Sequence, residues 1–240
     1  MRELSWLAEA RKLPGHVATH LIGALVLYLA KPVKHASRST TADLQSLSAI
    51  LRCGDVLLTE GNTRMATLVK RITRSSWSHV SMYVGPLEEG PNPRCIVEAD
   101  VAAGVRAVPL SEVSALRVRV LRPTGLHETD RRCLADWVVC RIGDGYDVAH
   151  AWALMRRFLP LPMASRFPAA PSTMAQGATR FICSSLLAQA FELVGQPIAS
   201  THAGARESSA MDHRYVTPPD FERASGFEVV RAMPVNCLES

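Results

Sequence analysis

From Leu51 onward the chain breaks into short stretches whose apolar residues recur at every second position or at every third and fourth. Gly54-Asp-Val-Leu-Leu-Thr59 is an apolar run behind a turn signal, which predicts a buried strand. Thr63 to Ser75 places Met65, Leu68, Val69 and Ile72 at helical spacing. Ser78 to Gly85 alternates and is rich in β-formers, so it reads as a strand. The Pro- and Gly-containing segment from Glu88 to Arg94 is a hairpin loop, and Cys95 to Ala99 is the antiparallel return strand. Gly104 to Val108 and Arg117 to Leu121 predict two more strands.

Beyond Pro123 the period changes to that of helices. Glu128 to Ile142 carries Leu134, Trp137, Val138 and Arg141 on one face, and His150 to Phe158 predicts a shorter helix. Residues 160–177, rich in Pro, Ala, Ser and Met, read as a loop. Phe181 to Val194 is the strongest helical pattern and stops at Gly195 and Pro197. Phe227 to Arg231 predicts a closing strand. The fold class expected is α+β, one antiparallel sheet packed by helices.

The first 45 residues stand apart. An apolar run from His16 to Ala30 is flanked by Arg11, Lys12, Lys31, Lys34 and Arg38. It is shorter than the ~20 residues that span a bilayer. Three readings stay open: a helix packed on the rest of the chain, a membrane-surface anchor within residues 13–38, and a cleaved signal. The organisation expected is therefore residues 1–45 as an N-terminal apolar and basic helix with its linker, and residues 46–240 as the principal domain.

Charge changes this picture little. The 27 Lys and Arg against 22 Asp and Glu give +5, but the basic residues are scattered and lack interleaved aromatics, so no nucleic-acid partner is expected. The six cysteines form no Cys-x-x-Cys pair. Cys53, Cys95 and Cys140 sit in apolar contexts and read as buried thiols, which points to a reducing, cytoplasmic setting, with membrane association left open. No His-rich or carboxylate-rich motif appears, so neither a metal nor another cofactor is expected.

Cys183 differs from the other cysteines, because it opens the strongest helix and is followed by Ser184 and Ser185. Unpaired N–H groups and the partial positive charge of a helix N-terminus favour a thiolate. The same N–H groups suit an oxyanion. His79, near the start of its strand, is the best placed of the eight histidines to serve as base. Glu98, a carboxylate in an otherwise apolar strand, is costly unless paired. The hairpin makes it a cross-strand neighbour of His79, able to orient the imidazole. Taken singly, each of the three also reads as an ordinary core or strand residue.

The order Gly54-Asp55, Ser78-His79-Val80, Val97-Glu98-Ala99 with Gly104-Val105, Tyr146-Asp147, and Cys183-Ser184 opening a helix resembles the YiiX-like group of permuted papain-fold amidases, related to NlpC-type peptidases. Thr217-Pro-Pro-Asp220-Phe221 is similar to that group's C-terminal segment. The resemblance spans about Leu51 to Arg231. It implies a circularly permuted papain-like fold with an extra N-terminal helix, in which the histidine strand precedes the cysteine helix. It further implies Cys183 as nucleophile, His79 as base and Glu98 as the orienting group of a thiol hydrolase. Tyr146 and Ser184 become candidate substrate or oxyanion contacts, and Asp55 a structural residue closing the turn into the first strand.

The activity so implied is attack on an amide or ester through a thioacyl-enzyme. The substrate class stays open between a peptide, a cell-envelope component and a lipid-derived molecule. Acyl transfer or phospholipase-like action at a membrane surface is one alternative, and a catalytically silent scaffold of the same fold is another. Oligomeric state is not legible.

Overall fold

Val56, Leu57 and Leu58 are fully buried because the strand that holds them is covered on both faces. Val56 and Leu58 join one apolar cluster with Val80, Met82, Leu186 and Phe191, while Leu57 turns into a second with Leu47, Ile96 and Val120. That two-sided burial is why Gly54 to Thr59 reads as an unbroken apolar run rather than an alternation.

The computed structural model describes residues 28–29, 31–32, 44–148, 150–151, 154, 180–200 and 212–230. In chain order the elements are α1 (Leu44–Ile50), β1 (Val56–Glu60), α2 (Arg64–Thr73), β2 (His79–Tyr83), β3 (Arg94–Asp100), β4 (Gly104–Pro109), α3 (Leu110–Ser114), β5 (Arg117–Pro123), α4 (Glu128–Val139), β6 (Gly145–Tyr146), β7 (Arg180–Phe181), α5 (Cys183–Leu193), α6 (Pro218–Arg223) and β8 (Phe227–Val230). A 3-10 turn at His213–Tyr215 precedes α6.

Six strands form one antiparallel sheet in the order β4-β3-β2-β1-β5-β8. α5 packs against β2 and β3, and α4 packs on α5. α1 and α3 supply Leu47, Leu110 and Val113 to the second cluster. The fold is α+β, and the histidine strand β2 precedes the cysteine helix α5, the order expected of a permuted papain-like chain.

Two polar devices fix the frame. The Arg52 N–H donates to Asp55 Oδ2 at 2.9 Å, closing the turn into β1, and Arg122 Nε and Nη2 donate to the two carboxylate oxygens at 2.9 and 2.7 Å. Asp55 is fully buried, and this fork is what makes its burial tolerable. Near the C-terminus, Asp220 Oδ2 accepts from the Thr217 N–H at 2.8 Å and from its hydroxyl at 2.7 Å, capping α6.

Several expectations are revised. Phe181 belongs to the two-stranded parallel ladder β6–β7 rather than to the helix, which begins at Cys183. α4 ends at Val139, so Arg141 lies past it, its guanidinium stacked 4.5 Å from the Trp137 ring centre. Cys95 is buried, but Cys53 is only half-buried and Cys140 is exposed. Cys140 caps α4 on its solvent side, so apolar neighbours in sequence did not bring burial.

The apolar stretch before residue 28, the loop at 160–177 and most of the short helix expected from His150 lie outside the described residues. The end of the N-terminal segment does meet α2. Arg64 lies 4.0 Å above the Tyr28 ring and donates to the Tyr28 carbonyl at 3.2 Å, and its N–H reaches the Lys31 carbonyl at 3.1 Å. No helix among the described residues is long and apolar enough to cross a membrane.

Candidate active site

His79 opens β2 from a fixed approach. The Ser78 N–H donates to the Thr59 carbonyl at 3.1 Å, and Ser78 Oγ accepts from the Gly61 N–H at 2.8 Å. The β2–β3 register pairs Met82 with Val97. Continued along the strands, it sets Glu98 across from Ser81, one side-chain step along the same face from His79. His79 Nε2 and Glu98 Oε2 are 2.8 Å apart. The second oxygen of Glu98 is held as well: Arg106, directly opposite on β4, donates through Nε and Nη2 to Oε1 at 3.0 and 2.8 Å.

Cys183 is the first residue of α5 and lines the same cleft as His79, whose imidazole its sulfur influences electrostatically. With Nε2 engaged by Glu98, Nδ1 is the ring nitrogen left to serve the sulfur. Cys183, His79, Glu98, Arg106 and Tyr146 line one cleft of about 290 Å³. From His79 through Glu98 to Arg106 the contacts run imidazole, carboxylate, guanidinium.

Burial works against a charged His79, yet the Cys183 sulfur and the Glu98 carboxylate outweigh it, and the imidazole is held well above its ordinary 6.5. Burial likewise opposes ionisation of Glu98. The hydrogen bonds and charges of His79 and Arg106 reverse that and hold the carboxyl at about 2. Perturbed titratable groups in a cleft make it a candidate functional site.

Tyr146 reaches the cleft through the β6–β7 ladder, which sets it beside Phe181, two residues before Cys183. Burial first, then the charges of Cys183, Asp100 and Asp147, keep its phenol protonated and its pKa well above 10. It lines the same cleft as Cys183 with a protonated hydroxyl able to donate. The turn that carries it presses on β4, where the Val105 N–H donates to the Asp144 carbonyl at 2.8 Å. Gly104, at φ +74°, allows this approach, because a Cβ there would collide with that carbonyl.

Ser184 lines the cleft, but its hydroxyl is committed: Oγ donates to the Val216 carbonyl at 2.6 Å, tying α5 to the segment before α6. Any oxyanion contact from this residue falls to its backbone N–H, which as part of the first helical turn has no intrahelical acceptor. Ser185 turns its Oγ back to accept from the Ile182 N–H at 3.1 Å.

Arg106 escaped the sequence reading. A signal was present: a hairpin turning at residues 101–103, with Gly104 opposite Asp100, counts Arg106 directly onto Glu98. Among the described residues, no group of three or more His, Cys, Asp or Glu side chains is arranged to hold a metal ion.

The family profile described as "permuted papain-like amidase enzyme, YaeF/YiiX, C92 family" matches residues 50–158. That segment contains His79, Glu98, Arg106 and Tyr146 and stops before Cys183. Among solved structures, the chain is similar to metalloprotein yiiX from Escherichia coli O157:H7, with 17% identity and a TM-score of 0.49 over 76% of this chain and 97% of that one. No curated protein matches the chain.

Proposed function

We propose, from the match of residues 50–158 to the permuted papain-like amidase family profile, that this chain is a cysteine hydrolase cleaving an amide or ester through a thioacyl-enzyme. The observation that carries the reading is that Cys183, His79 and Glu98 line one cleft, with His79 Nε2 2.8 Å from Glu98 Oε2. A thiol at a helix N-terminus, sharing a cleft with an imidazole that a carboxylate orients, is the kind of arrangement an activated thiol requires.

In this mechanism the Cys183 sulfur attacks the carbonyl carbon, and the carbonyl oxygen becomes an oxyanion. The backbone N–H groups of Cys183 and Ser184 and the Tyr146 hydroxyl are the donors at hand for that charge. His79 passes its proton to the leaving nitrogen or oxygen as that bond breaks. It then takes a proton from the water that attacks the thioester. Glu98 keeps the imidazole ring in place and favours its charged form. Arg106 holds Glu98 and is a positioning residue.

The test is reaction with an electrophilic thiol probe that mimics an acyl carbonyl, followed by intact mass. Wild type should gain one adduct, mapped to Cys183, and Cys183→Ala should gain none at equal exposure. An adduct that persists in Cys183→Ala removes Cys183 from the role.

A further inference from the structure

The two sides of α2 face different surroundings. Met65, Val69 and Ile72 turn inward and line the cleft. The opposite side is basic. Arg64 and Arg71 stand two turns apart, hence on one line of the helix, across from the buried Ala66 and Thr73. Arg74 follows at the C-cap, held at φ +50°, a conformation that glycine adopts more readily. Arg71 and Arg74 are exposed, and neither meets a carboxylate among the described residues. Glu60, beside the helix, is already shared by Lys70 at 3.2 Å and Arg117 at 3.3 Å. From Gly61 to Trp77 the chain carries Arg64, Lys70, Arg71 and Arg74 and no carboxylate.

The helix dipole explains only part of this charge. It favours cations in the last turn, where Lys70 and Arg71 lie, but disfavours Arg64 in the first. Arg64 is held there by the N-terminal segment. Its guanidinium lies 4.0 Å above the Tyr28 ring and donates to the Tyr28 carbonyl at 3.2 Å, while Pro32 bridges to Thr63. This tie sets the exposed Lys31 at the same end of the helix, its carbonyl accepting the Arg64 N–H at 3.1 Å. The apolar run that ends at Ala30 is too short to span a bilayer. Followed by Lys31, Lys34 and Arg38, it has the composition of a segment that lies among lipid headgroups.

We infer that the outer face of α2, together with Lys31, is a docking surface for an anionic phospholipid bilayer, continuous with the apolar run that ends at Ala30. Charge complementarity carries the inference: Lys31, Arg64, Arg71 and Arg74 present cations to lipid phosphates. No aromatic side chain is interleaved among them to stack on nucleic-acid bases, because the Tyr28 ring is covered by Arg64. With α2 seated on the headgroups, the cleft that its inner side lines lies about 10 Å away, one helix diameter. The surface is independent of the cysteine-hydrolase reading, since it uses none of Cys183, His79 and Glu98.

The experiment is cosedimentation of the full chain with vesicles of phosphatidylglycerol and phosphatidylcholine, against vesicles of phosphatidylcholine alone. Wild type and Cys183→Ala should bind the anionic vesicles equally well, and neither should bind the neutral ones. Each cation near such a surface contributes about fivefold, so Arg71→Gln with Arg74→Gln should weaken binding on the order of tenfold or more. Thermal melts should be unchanged in this pair, and Arg71→Lys with Arg74→Lys, which keeps the charges, should bind as wild type. A matched pair on other elements, Arg94→Gln with Arg132→Gln, alters net charge equally and should also bind as wild type. Raising the salt to ~1 M, where the Debye length is about 3 Å, should weaken wild-type binding. Equal binding by the two glutamine pairs, or no preference for anionic vesicles, overturns the inference. So does tighter binding to duplex DNA than to anionic vesicles that is lost in Arg71→Gln with Arg74→Gln, which would assign the face to nucleic acid.

Discussion

Replacing Glu98 by Gln keeps the side chain's shape and removes its charge from between His79 and Arg106. Glu98 sits at about 2 against an ordinary 4.5. At about 1.4 kcal/mol per pH unit, its partners favour the carboxylate by about 3 kcal/mol despite burial. If His79 carries half of that, its imidazolium loses about 1.5 kcal/mol in the variant, and its pKa falls by about one unit. In the proposed mechanism the protonated His79 exists only below that pKa. The alkaline limb of kcat/KM for Cys183-dependent ester hydrolysis should therefore move down by about one pH unit in Glu98→Gln. The fold responds in a defined window. Glu98 contributes stability that is full above about 4.5 and lost as pH falls through about 2. His79, raised above 6.5, contributes stability that is full below 6.5 and lost as pH rises through its higher folded value. Thermal melts of wild type should show the pair's largest contribution between about 4.5 and 6.5, and Glu98→Gln should lose it. An alkaline limb that stays put or moves up would refute the idea that Glu98 sustains the imidazolium.

Other parts of the structure make separate predictions. Asp55→Ala leaves Arg122 with no carboxylate and should cost about 3–5 kcal/mol in chemical denaturation; a loss below about 1 kcal/mol would contradict the buried fork. Gly104→Ala, strained at φ +74° and colliding with the Asp144 carbonyl, should cost about 1–3 kcal/mol and raise KM or lower kcat by displacing Tyr146. Neutral stability there would mean the turn yields easily. Ser184→Ala strips the buried Val216 carbonyl of its donor and should cost about 1–3 kcal/mol in the same assay; no change would place that hydrogen bond in doubt.

The sheet was legible because most strands announce themselves by alternation or by an apolar run behind a turn residue, and β1, β2, β3, β4, β5 and β8 fall where those patterns lie. What the pattern conceals is register. Arg106 is one arginine in a short strand until the β3–β4 pairing sets it against Glu98. The β6–β7 ladder is two residues long on each side, too short to show a period, yet it is what brings Tyr146 to Cys183. Cys140 was misread because adjacent apolar residues say nothing about which side of a helix end faces water. The stripe on α2 was read correctly as helical, but periodicity cannot tell a face that meets the core from one that lines a cleft. Ser184 shows a similar limit: a small polar residue at a helix start suits both a site and a structural tie, and here its hydroxyl makes the tie.

The central claim is that Cys183 is a nucleophile activated by His79, and the rate of its alkylation by iodoacetamide tests it most directly. Cys133 and Cys140 are exposed and Cys183 is 9% exposed, so access alone ranks Cys183 behind both. Peptide mass mapping at neutral pH should instead find Cys183 modified fastest in wild type, because rate follows thiolate character. In His79→Ala, verified as folded, its rate should drop below those of Cys133 and Cys140. A Cys183 that reacts more slowly than the exposed cysteines in wild type, and at a rate His79→Ala leaves unchanged, would contradict the account.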